Sequence, residues 1–78
     1  MKKIQVFGTG CPKCNQLEAN AKEAVTKSGI DAQVEKITDI NQIAEAGVMM
    51  TPALAIDGEI KIAQKVASPE EITAWLKA

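Results

Sequence analysis

The sequence contains no histidine, and its only thiols are Cys11 and Cys14. Without imidazole the familiar acid–base and metal constellations cannot be assembled, and two thiolates alone cannot close a tetrahedral zinc site. A charge excess is missing as well. Nine basic and ten acidic residues give a formal charge of −1, and neither sign is clustered, so the electrostatic footprint of a nucleic-acid binder is absent. Long apolar runs are also lacking. The alternating run after Met1-Lys2-Lys3 is too short for a signal-peptide core and far too short to span a bilayer. These absences exclude nucleic acid and membrane as partners and point to a cytoplasmic protein. There is no low-complexity tract and no internal repeat.

What remains is an ordinary globular composition, 46% apolar and 24% charged. At 78 residues the chain reads as a single domain, 1–78, in which every element must contribute to one small core.

Residues 3–7 (KIQVF) suit a strand covered on both faces, and Gly8-Thr9-Gly10 breaks it. From about Pro12 the positions Cys14, Leu17, Ala21, Ala24 and Val25 recur at helical spacing. Glu18/Lys22 and Glu23/Lys27 supply i,i+4 pairs on the other side, and Gly29 ends the helix. Residues 31–37 (DAQVEKI) alternate as a second strand, reached by a crossover long enough for parallel pairing. Asp39 with Gln42 reads as a capping box for a short helix whose Ile40, Ile43, Ala44 and Gly47 share one face.

After Val48-Met49-Met50-Thr51-Pro52, residues 53–56 and 59–63 flank Asp57-Gly58, a type I′ hairpin signal. Ser68-Pro69-Glu70-Glu71 then supplies an N-cap, a first-turn proline and a capping glutamate for a last helix, with Ile72, Trp75 and Leu76 facing inward. The order is βαβαββα. With a right-handed first crossover it implies an α/β fold, a four-stranded mixed sheet with helices on both faces.

This order places Cys11 at or next to the N-cap of the first helix, where unpaired N–H groups and the helix dipole favour a thiolate. Its pKa is expected below the free value of about 8.5. Cys14 shares the face of Leu17 and Ala21 and is expected to be sheltered. An exposed thiolate that attacks a disulfide, with a sheltered partner that breaks the mixed disulfide, is what dithiol–disulfide exchange requires. Pro12 fits the first helical turn without wasting a donor.

The CPKC motif after a first strand, Met50-Thr51-Pro52 before a hairpin, and the element order together resemble the minimal thioredoxin-like fold over essentially the whole chain. The sequence is similar to the small thioredoxin/glutaredoxin-like disulfide proteins of bacteria and archaea. That resemblance implies a protein-disulfide oxidoreductase serving electron transport, with catalytic Cys11 and Cys14. It further implies that Pro52 follows a cis bond beside the cysteines and that the Thr51 backbone pairs with substrate. The expected partners are disulfide-containing proteins and an upstream reductase. The protein is expected to be monomeric, with no bound organic cofactor and no metal. In three places the chain departs from the families it resembles: Gly10 stands where thioredoxins carry a tryptophan before the first cysteine, spacing puts Gln5 where they carry a buried aspartate, and Gln64-Lys65-Val66-Ala67 stands where glutaredoxins carry a glutathione clamp.

The competing expectation is a soft-metal carrier, because heavy-metal-associated domains also put C-x-x-C between a first strand and helix, and two thiolates can hold Cu(I). That fold runs βαββαβ and ends on a strand.

Overall fold

The computed structural model describes residues 2–10 and 12–77. Its elements are β1 (Lys2–Phe7), α1 (Pro12–Ser28), β2 (Ala32–Ile37), α2 (Ile40–Glu45), β3 (Ala53–Ile56), β4 (Glu59–Ala63) and α3 (Pro69–Lys77). The four strands form one mixed sheet in the order β2-β1-β3-β4. β1 pairs parallel with β2, from Lys2 opposite Ala32 to Phe7 opposite Ile37. It pairs antiparallel with β3, from Ile4 opposite Ile56 to Phe7 opposite Ala53. A parallel pair needs a long crossover, which α1 provides; the antiparallel β3–β4 pair needs only a tight turn.

Asp57 and Gly58 make that turn at φ +52° and +85°, the left-handed pair that a type I′ turn demands. The β3–β4 ladder shifts register between Leu54 and Ala55, whose partners are Ile62 and Ile60. Lys61 is therefore the extra residue of a bulge.

Two apolar layers sandwich the sheet. On one face Ile4, Val6, Leu54 and Ile56 pack against Leu17, Ala21 and Ala24 of α1 and Ile72 and Leu76 of α3, with Trp75 partly buried at the margin. On the other face Phe7, Ala53 and Ala55 pack under Ile43 of α2 and Val48. β3 is buried along its whole length because it contributes to both layers.

The ends of the helices follow from local chemistry. Ser68 and Glu71 form a reciprocal capping box: the Glu71 N–H donates to Ser68 Oγ at 3.1 Å and the Ser68 N–H to Glu71 Oε1 at 3.1 Å. α1 ends at Gly29, whose φ is +69° and whose N–H donates to the Val25 carbonyl. The Glu18–Lys22 and Glu23–Lys27 pairs form on its solvent side.

α2 departs from expectation in two respects. Its cap is Asp39 Oδ1 accepting from the Asn41 N–H at 2.8 Å, an Asx-type contact rather than a bond to the third helical residue. Of the face read as inward, only Ile43 is buried; Ile40 is 71% exposed and Ala44 lies in solvent. A six-residue helix makes under two turns and meets a flat sheet through a single side chain, so the rest of its apolar stripe finds no partner.

Candidate active site

β1 delivers the chain to the end of the sheet where α1 begins. Gly8 is buried, and its N–H continues the ladder by donating to the Ile37 carbonyl at 3.0 Å. Thr9 and Gly10 are exposed, and Gly10 turns the chain at φ +96°, a conformation that disfavours side chains. Cys11, the expected nucleophile, lies outside the described residues. Pro12 occupies the first position of α1, where a missing N–H costs nothing. Pro12 and Lys13 are exposed, and the first turn carries no acidic side chain.

Cys14 is fully buried, as its place on the Leu17–Ala21 stripe requires. It rests on Gly8: a Cβ built on that glycine would overlap the Cys14 sulfur and stand 2.7 Å from the Cys14 Cβ. Glycine at the end of β1 is thus what lets the first turn of α1 settle onto the strand. Lys36 ties the same turn to β2, with Nζ 3.2 Å from Asn15 Oδ1 and 3.6 Å from Glu18 Oε1.

Thr51 and Pro52 reach this end of the sheet through β3. Because Phe7 pairs with Ala53 in an antiparallel ladder, the residue after Phe7 and the residue before Ala53, Gly8 and Pro52, are brought to the same edge. The Thr51–Pro52 bond is cis. Pro52 is buried, and its carbonyl accepts from the Gln64 N–H at 2.6 Å, with Gln64 held at φ +64°. Thr51 is exposed, and among the described residues its backbone makes no hydrogen bond. The preceding loop divides: Val48 is buried against Phe7 and Ile43, whereas Met49 is 91% and Met50 50% exposed.

Gln5, at the position where thioredoxins carry an aspartate, lies mid-strand opposite Glu35 of β2. Ile4 and Val6 face α1, so Gln5 between them faces the α2 side, where Nε2 donates to Glu35 Oε1 at 3.4 Å. Beneath α1 the strand presents Val6, and among the described residues no polar or charged side chain is buried. Two contributors escaped the sequence reading. Gly8 was legible only as a strand breaker, although a glycine at a strand end six positions before a helical cysteine is a pattern that close packing would produce. The Gln64–Pro52 bond carries no sequence signal.

The thioredoxin domain family matches residues 2–77. The chain belongs to the thioredoxin family. It is 58% identical over 72 residues to a thioredoxin of Methanothermobacter thermautotrophicus, covering 92% of this chain and 94% of the relative. It is 52% identical over 75 residues to a thioredoxin of Methanocaldococcus jannaschii, covering 96% and 86% respectively. Membership makes the chain a thiol-disulfide oxidoreductase, an enzyme whose substrates are disulfide-containing proteins. The soft-metal carrier reading loses its fold: the chain closes on α3 rather than on a strand, in the order βαβαββα. Among the described residues, no helix is long and apolar enough to cross a membrane.

Proposed function

We propose that Cys11 and Cys14 are the redox couple of this oxidoreductase, with Cys11 attacking the substrate disulfide and Cys14 resolving the intermediate. The observation that carries this reading is the complete burial of Cys14 on the first turn of α1, at the sheet edge that Gly8 and Pro52 share. A thiol sheltered there cannot meet a folded substrate directly, yet it is three residues from Cys11. The absence of acidic side chains in the first turn of α1 leaves the helix N-terminus free to favour a thiolate beside it.

The cycle needs only sulfur. The Cys11 thiolate attacks one sulfur of the substrate cystine, a mixed disulfide forms, and the other substrate sulfur leaves as a thiolate and is protonated. Cys14, having lost its proton, then attacks the Cys11 sulfur. The Cys11–Cys14 bond forms, the bond to substrate breaks, and the second substrate thiolate leaves with the electron pair. The enzyme dithiol is oxidised by two electrons and the substrate cystine is reduced by two. No bound organic cofactor is required, and an upstream reductase returns the couple to the dithiol.

Thr51 and Pro52 guide the substrate. Thr51 offers an exposed backbone without a hydrogen-bond partner among the described residues, suited to pair with an extended segment. Met49 and Met50 add a flexible apolar rim against which such a segment packs. The protein works as a cytoplasmic, monomeric single domain. Insulin reduction tests the assignment: the wild type should catalyse it with a chemical reductant as donor, and Cys11→Ser should abolish it. Retained turnover in Cys11→Ser would refute the assignment. Tight Cu(I) binding without any disulfide reduction would restore the carrier reading.

A further inference from the structure

We propose that Gly8 is a positioning residue for the resolving thiol, its missing side chain setting where the Cys14 sulfur stands when it attacks; this rests on Cys14 being the resolver. Two glycines border the site for different reasons. Gly10 has a positive φ and open space where a Cβ would go, so its requirement is conformational. Gly8 has no positive φ, and its requirement is space: a Cβ there would overlap the Cys14 sulfur and lie 2.7 Å from the Cys14 Cβ.

The second overlap decides what must move. A rotamer change of Cys14 swings the sulfur aside but leaves its own Cβ in place. The strand end is fixed by the Gly8 N–H to the Ile37 carbonyl, and Phe7 beside it is locked between Ile37 and Ala53. What yields is α1 at Cys14 itself, since the three atoms nearest to the added methyl all belong to that residue, and the displacement is largest there rather than at the helix start. Cys14 must approach the Cys11 sulfur in line with the bond that breaks, whereas the first attack, by Cys11 on substrate, does not use Cys14. Alanine at position 8 therefore slows the second step selectively.

The test is Gly8→Ala, read by quenched-flow trapping of the mixed disulfide with an insulin-derived substrate and, separately, by the rate of Cys11 alkylation. Misplacement of a reacting group by about an ångström can cost up to about a hundredfold, so the mixed disulfide is expected to persist at least about tenfold longer while Cys11 alkylation stays within about twofold of wild type. Resolution at the wild-type rate in a folded variant would overturn the proposal, and so would equal slowing of both steps. Should Gly8→Ala fold poorly, the double variant with Cys14→Gly removes both overlapping atoms and should recover the lost stability. A double variant as unstable as the single one would overturn the proposal. Failure of Cys14→Ser to accumulate any mixed disulfide would instead count against Cys14 as resolver, which keeps the two claims separable.

Discussion

Ile40 and Ile43 lie on one short helix at i,i+3 spacing, and truncating each to alanine should give opposite outcomes. Ile43 is 7% exposed and caps Phe7, Ala53 and Ala55; Ile40 is 71% exposed. Burying an isoleucine side chain is worth about 1.5–3 kcal/mol, and the unfilled cavity adds to that. The α2-side cluster is small and close to solvent, which allows partial collapse, so Ile43→Ala should cost about 2–3 kcal/mol, the lower part of the usual range. For a chain of this size total stability is of order 4–12 kcal/mol, making this a large fraction. The melting temperature should fall by about 8–24 °C at about 4–8 °C per kcal/mol. Ile40→Ala loses almost no burial and gains slightly in helix propensity, so it should stay within about 0.5 kcal/mol of wild type. Urea titration followed by circular dichroism measures both, with an unchanged m-value as the control that cooperativity is intact. Similar costs for the two variants would refute the placement of α2 on the sheet.

Two further outcomes follow from the ends of the helices. Ser68→Ala should cost about 1 kcal/mol and Glu71→Ala less, and because the two bonds are reciprocal their double variant should cost less than the sum, as urea titrations of all three would show. Iodoacetamide labelling of the reduced protein should modify Cys11 first while Cys14, fully buried, reacts only on opening; peptide mapping that finds Cys14 labelled first would reverse the thiol roles.

What could be read from the sequence was whatever depended on local rules. The alternation of Ile4 and Val6, the Leu17–Ala21–Ala24 stripe, the Asp57-Gly58 turn and the Ser68–Glu71 box each involve neighbours within a turn or a strand pair, and each is realised. Most of what escaped depended on tertiary contact; the local exception is the Asp39–Gln42 box, where Asp39 accepts from the Asn41 N–H instead. The apolar face of α2 could not reveal that the sheet would accept Ile43 and leave Ile40 in water, since periodicity gives a direction but not the reach of the partner. Spacing gave Gln5 a position on β1 but not its partner, which is Glu35 on the neighbouring strand. Val48, Met49 and Met50 look alike by composition; only the packing of Phe7 separates the buried valine from the exposed methionines. At the site, the burial of Cys14 and the meeting of Pro52 with the end of β1 follow from strand order and helix face, whereas the contact between Gly8 and Cys14 arises from how closely α1 settles on β1, which no local pattern encodes.

The division of labour between the two thiols is tested most directly by incubating reduced Cys14→Ser with a disulfide-bearing protein and mapping the product by non-reducing mass spectrometry. A dithiol couple with Cys14 as resolver predicts a stable mixed disulfide joining Cys11 to the substrate, dispersed by added dithiothreitol and absent from the wild type at steady state. Absence of any adduct under conditions where the wild type reduces the same substrate would contradict it.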